Sequence, residues 1–308
     1  MDAHGASAIH LKQLIIWIVA ICSLVWMLVM VVLIWALLRR RTEPPAANPS
    51  RERRMAGTVI MATVATVVII TGFTIASFVT TRATNAYDAD FTVVVRGQQW
   101  WWELNYLDPD ASRGFKTANE IHIPVGRNVK LQLESSDVIH SFWVPSLAGK
   151  LDLIPGRTNE LTIRAERAGV YRGQCAEFCG LQHTHMSVFV IADEPAAFEA
   201  WREAQRRPAA ASADADADAV AGQAVFLAKP CAACHTIRGT SATGTTGPDL
   251  THLADRQTIA AGAFDTTRGS VAAWIADPQT LKPGNNMPMV PMSSDELRQL
   301  SAYMMSLK

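Results

Sequence analysis

The chain has 308 residues with 28 Lys+Arg against 28 Asp+Glu, so it carries no formal net charge and lacks the basic excess expected of a nucleic-acid-binding protein. Hydrophobic residues make up 49% and charged residues only 18%, a shortage of charge for a wholly soluble protein. The shortage is local: 25 residues from Leu14 to Leu38 and 27 from Met55 to Thr81 carry no charge.

Each of these runs can cross a hydrocarbon core at about 1.5 Å per residue. The pattern predicts an N-terminal region, 1–81, holding a hairpin of two membrane spans at 14–38 and 55–81. Between the spans Arg39, Arg40, Arg41, Arg51, Arg53 and Arg54 face only Glu43 and Glu52, whereas Lys12 is the sole Lys or Arg before them. That asymmetry predicts a cytoplasmic connecting loop, with both termini and everything after Thr81 on the extracytoplasmic side. The first span is too long for a signal peptide and lacks a small-residue cleavage site, and Cys22 within it reads as a small apolar filler.

From 82 to 207 short alternating runs sit between turn signals. Val129 to Glu134 alternates strictly, and Phe91 to Arg96, Glu120 to Ile123, Asn159 to Arg164 and Met186 to Ile191 are similar. Pro124-Val125-Gly126 and Pro155-Gly156 break the chain between them, which predicts an all-β sandwich closed by a helix from Pro195 to Arg206. The Ala/Asp tract at 208–219 has nothing to bury and reads as a solvated linker. As a free chain it would span roughly 20 Å and hold the C-terminal region at an effective concentration of order millimolar. From 220 to 308 helical spacing returns at 222–227, 270–275 and 294–307, the last started by Ser293 or Ser294 ahead of Asp295 and Glu296.

Two cysteine constellations carry chemistry. Cys231-Ala-Ala-Cys234-His235 is the attachment signature for c-type haem: the thiols form thioethers and the histidine reaches the iron. Zinc would need two further ligands, and none has suitable spacing. Met287, in a Pro-Gly-Asn-Asn-Met-Pro loop before the final helix, is the candidate for the opposite axial position, with Met289 and Met292 as rivals.

The second constellation runs Cys175-Ala-Glu177-Phe-Cys179-Gly-Leu-Gln-His183-Thr-His185-Met186. Thiolate, imidazole and thioether together select copper. One copper of the blue type uses a single cysteine, so the second thiolate is in excess; two sulfurs bridging two metals would use both, provided another histidine arrives. His140 is the candidate, while His185 alternates into a strand and reads as structural. His122 and His252 have no comparable context.

With the hairpin, Gly97-Gln98-Gln99-Trp100-Trp101-Trp102, the Asp137-to-Pro145 segment and Pro155-Gly156-Arg157, this loop resembles subunit II of haem-copper cytochrome c oxidases. The added haem-binding region is similar to the caa-type members. The resemblance implies a membrane hairpin, an all-β cupredoxin-like Greek-key sandwich and an all-α class I cytochrome c domain. It implies a dinuclear copper A centre in which Cys175 and Cys179 bridge both coppers, His140 and Met186 complete one, and His183 and the backbone carbonyl of Glu177 complete the other. The Glu177 carboxylate would bind magnesium with subunit I. Trp100 stands where the family places its electron-entry tryptophan; the other reading is that the three tryptophans pack the sandwich and anchor it at the membrane interface. Subunits I and III, an external cytochrome c or similar donor, and the bilayer are the implied partners. The family's glutamate at the start of the second span has no counterpart in register, since Glu52 lies two positions early. A copper A subunit of a nitric oxide reductase and a copper chaperone for oxidase assembly are the alternative functions.

Overall fold

Residues 2–39, 49–84, 88–209 and 216–308 are described by a computed structural model. The chain divides into two units: 9–86, and 2–8 together with 87–308. The first holds most of α1 (Ala6–Leu38) and all of α2 (Pro49–Thr84). Neither helix has a polar stripe across its uncharged run, and at 33 and 36 residues each exceeds the ~20 residues that a bilayer core requires. In α2 the hydroxyls of Thr58, Thr63, Thr66 and Thr74 each donate to the carbonyl four residues back at 2.9 Å, which hides polar groups inside an apolar helix. Both helices begin before the uncharged runs, because the polar residues ahead of them still favour helix. Arg40, Arg41 and Glu43 of the connecting loop lie outside the described residues.

In the second unit two five-stranded sheets face each other. One has the order β3 (Phe115–Ala118), β2 (Trp101–Tyr106), β1 (Phe91–Gln98), β5 (Val129–Ser135), β8 (Asn159–Ile163). The other has the order β4 (Glu120–Pro124), β10 (Ser187–Asp193), β9 (Gly169–Cys175), β6 (His140–Trp143), β7 (Leu151–Leu153). β1 runs parallel to β5 and β4 parallel to β10, so strands adjacent in sequence are parted between sheets in the Greek-key manner of a cupredoxin-like sandwich. The alternation of β5 points Val129, Leu131 and Leu133 into a core shared with Trp102, Leu104 and Phe142. Helix α3 (Pro195–Arg206) closes one end, where Trp201 stacks on His122 at 4.1 Å and His122 Nδ1 meets Asp193 Oδ2 at 2.7 Å.

The last ninety residues form α4 (Ala217–Ala228), α5 (Cys231–Cys234), a ribbon of β11 (Thr258–Ile259) and β12 (Phe264–Asp265), then α6 (Arg268–Ala276), α7 (Pro278–Leu281) and α8 (Ser294–Ser306). Helix α4 crosses α8 closely at Gly222, where a Cβ would stand 2.1 Å from the Gln299 carbonyl oxygen. Ser293 caps α8 in a reciprocal box with Glu296. Asp216 caps α4, and Asp218 pairs with Arg298, so 217–219 belong to a helix rather than to a solvated spacer; 210–215 lie outside the described residues.

This helical region packs directly on the sandwich. The buried Glu120 carboxylate of β4 accepts from the backbone N–H groups of Gln257 and Thr258 at 3.0 and 2.8 Å and from the Thr258 hydroxyl at 3.2 Å. Ser187 N–H donates to the Ala261 carbonyl at 2.9 Å, and Arg256 donates to the Thr117 hydroxyl at 3.3 Å. The reach of a free linker therefore does not set the separation of the two regions.

Candidate functional site

β6 opens on His140, and its pairing with β9 sets Phe142 opposite Cys175. This register places the His140 Nδ1 3.8 Å from the Cys175 sulfur. The other ring nitrogen, Nε2, meets Asp137 Oδ1 at 2.8 Å, which fixes the ring's orientation and leaves Nδ1 facing the sulfurs. Asp137 also accepts from the Gln99 N–H at 2.7 Å, tying the β1–β2 turn to the same point. The approach needs Gly97: a Cβ there would fall 2.7 Å from His140 Cδ2.

After β9 the chain folds back over the strand end. Cys179 Sγ lies 3.7 Å from Cys175 Sγ, 3.6 Å from His183 Nδ1 and 3.9 Å from the Met186 sulfur. The Glu177 carbonyl is 3.2 Å from Cys175 Sγ, while its carboxylate side is exposed. The ligand atoms of His140, Cys175 and Cys179 all lie within 4.8 Å of one another. All donors named in the sequence thus surround one point. His185 turns away, its Nδ1 against Gln182 Oε1 at 2.8 Å. The hydrogen bond between the two thiols draws the Cys175 pKa down and pushes that of Cys179 up. A buried cluster of two sulfurs, two imidazoles, a thioether and a carbonyl, with no carboxylate in it, fits soft copper rather than calcium or magnesium.

Trp100 is buried beside this cluster, and its Nε1–H donates to the Cys179 carbonyl at 3.0 Å. The Gln99 side chain donates to the same oxygen at 2.6 Å.

A second feature is an apolar cavity of about 550 Å³, mouth included, with His235 and Met287 among its lining residues. His235 Nδ1 donates to the Pro248 carbonyl at 2.8 Å, which frees Nε2 as a ligand, and burial lowers the ring's pKa. Gly247 must lack a side chain, since a Cβ would fall 2.6 Å from the His235 ring. Cys231 and Cys234 stand on the single turn of α5 immediately before it. The Met287 backbone is held at both ends, by Asn285 Oδ1 and by the Gln279 side chain, each at 2.8 Å. Met289 is 59% exposed, and Met292 packs against the helical core. Arg256 also lines the cavity, and its buried Nε has no partner among the described residues. This lining, apolar with one arginine, suits a flat apolar macrocycle with acidic substituents, and Cys231 and Cys234 stand on the turn just before His235.

Sequence reasoning missed Asp137, Gln99, Arg256 and Asn119, the last a sandwich residue that lines the cavity. Asp137 had a legible signal, a carboxylate three residues before a candidate ligand. The others become neighbours only through the fold.

Residues 107–193 match the family model described as cytochrome c oxidase subunit II, periplasmic domain, and residues 219–308 match the cytochrome c model. The chain is 39% identical over 217 residues to cytochrome c oxidase subunit 2 of Alkalihalophilus pseudofirmus, covering 70% of this chain and 61% of that protein. It is 32% identical over 238 residues to the Bacillus subtilis subunit, covering 74% and 65% respectively. The alignments thus span somewhat under two thirds of these relatives' length. The crystal structure of the periplasmic domain of subunit II of the Bradyrhizobium japonicum cytochrome oxidase aligns with 39% of this chain and 96% of its own, at 32% identity and a TM-score of 0.37.

Proposed function

We propose, for a chain that belongs to the cytochrome c oxidase subunit II family and carries a cytochrome c domain behind its sandwich, that it is the electron-transfer subunit of a respiratory cytochrome c oxidase. The family matches imply copper A and haem c as its cofactors, and two apolar helices anchor it in a membrane. When bound, these groups carry single electrons from haem c to copper A and on to an oxygen-reducing site in subunit I. The observation that carries this reading is the convergence of His140, Cys175, Glu177, Cys179, His183 and Met186 on one buried point.

In this reading Cys175, Cys179, His140, His183, Met186 and the Glu177 carbonyl would together hold the copper centre, which would supply one-electron transfer. Asp137 orients His140. Cys231 and Cys234 would hold haem c, and His235 and Met287 would serve its iron. The exposed Glu177 carboxylate is free to hold magnesium against subunit I. Trp100 lies between the haem loop and the Cys179 carbonyl, a position from which it serves entry of electrons into the copper pair. The functional division is 1–81, 82–207 and 220–308, with 208–219 between the last two, of which 217–219 already lie in α4. Arg51, Arg53 and Arg54 at the start of α2 favour a cytoplasmic loop and periplasmic metal domains. Subunit III and an external cytochrome c or similar donor complete the assembly.

Copper electron paramagnetic resonance with metal counted per full-length chain tests the assignment. One unpaired electron shared over two equivalent coppers is expected. A single-copper pattern with one metal per chain would overturn it and favour a blue-copper carrier or a chaperone.

A further inference from the structure

Lys282 follows α7 and is only 2% exposed, yet no carboxylate pairs with it among the described residues. Its Nζ instead donates to three backbone carbonyls, those of Trp100, His185 and Ala260, each at 2.8 Å. An ammonium has three N–H donors, and all are satisfied. The acceptors belong to three separate segments: the β1–β2 turn, the copper loop next to Met186, and the β11–β12 turn of the haem domain. A solvated lysine gains nothing from such a position, because taking an ammonium out of water is costly unless its donors are met.

The residues after Lys282 continue the contact. The Gln182 side chain donates to the Pro283 carbonyl at 2.8 Å. Gly284 has φ +82°, and a Cβ built on it would stand 3.3 Å from Leu181 Cδ1 and 3.6 Å from Trp100 Cη2, so this backbone lies directly on the Trp100 ring. Met287 comes next, at the cavity wall. One short loop therefore carries at one end an ammonium joining two copper-domain carbonyls to one of its own domain, and at the other the methionine that lines the haem cavity.

We propose that Lys282 is a positioning residue that locks the haem domain onto the copper loop, so that electrons cross between the two centres in one fixed complex rather than through collisions of a tethered domain. What is transferred rests on the function proposed above; the lock rests on the three bonds and the Gly284 contact. Removing the ammonium leaves three buried acceptors, on three segments, without their shared donor.

Two measurements on the full chain in detergent test the lock, and neither needs metal. In brief labelling of the native wild-type chain with acetic anhydride, Lys282 should react at least about tenfold more slowly than the exposed Lys150 and Lys308, since it is reached only by opening. Equal labelling would overturn the proposal. In Lys282→Met, amide hydrogen exchange should speed up at 180–186 and 282–287 while β5 and β10 stay protected; unchanged exchange would overturn it. If that variant fails to fold, the wild-type labelling still decides. In the loaded variant, flash-triggered haem-to-copper transfer should slow about 100-fold and become viscosity-dependent, with haem and copper spectra unchanged. An unchanged, viscosity-independent rate would again overturn it. Absence of the shared-electron copper signal would instead overturn the electron-transfer reading, and leaves the labelling and exchange results intact.

Discussion

His140 and Cys175 are 35 residues apart and meet because β6 pairs with β9, whereas Cys231, Cys234 and His235 fall within five consecutive residues on one helical turn and the loop after it. The copper donors are brought together by the sandwich: strand register sets the histidine, a glycine gives it room and Asp137 turns its ring. In the haem region the attachment motif is local, and the cavity is built from short helices and loops around it. The difference teaches where each site's geometry is stored. At the copper site it lies in the folded sheet, so a ligand can be lost by damage to the fold as well as by substitution. In the haem region Cys231, Cys234 and His235 need only one turn of helix to come together, so their grouping survives where regular structure is sparse.

The largest expected effect comes from Cys175→Ser. It should remove the copper altogether and leave covalent haem at full occupancy, as read by metal content and by the haem-stain intensity of the same band. Haem lost in parallel would mean that the two sites do not load independently. Met287→Ala should come next: haem stays covalently bound, the thioether–iron absorption band disappears and the haem potential falls. An unchanged spectrum would transfer the ligand role to Met289 or Met292. The smallest of the three is Asp137→Asn, which keeps every copper donor but weakens the partner of His140 Nε2. Copper affinity should fall about 10–100-fold by competition with a chelator, the usual effect of losing a ligand's outer partner. An unchanged affinity would show that the sheet alone fixes the ring.

Much of the fold was legible where burial is periodic. β5 follows its alternation, α3 spans Pro195–Arg206 as its spacing predicts, and Ser293 caps α8 as its sequence predicts. β9 was missed because its buried positions are Tyr171, Gly173 and Cys175, of which only the first gives a strand signal. β2 was hidden by tryptophans that read equally as anchors. The grouping of side chains on the Cys175–Met186 loop was legible because its spacing is local, with His140 alone arriving from another strand. The packing of the two regions was not legible: Glu120 and Lys282 look like solvated charges until the groups that meet them are brought in, all but Ala260 from more than 90 residues away.

Asn119 belongs to the sandwich, at the β3–β4 turn, yet it forms part of the wall around the haem cavity. The linker is therefore a seam in the sequence that does not coincide with a seam in the solid. Recombination at that seam would exchange the whole attachment motif together with His235 and Met287, but it would leave behind one panel of the cavity that those two residues line. Any foreign cytochrome grafted onto this sandwich inherits a wall shaped for another occupant, and any sandwich given away takes with it part of the haem's insulation.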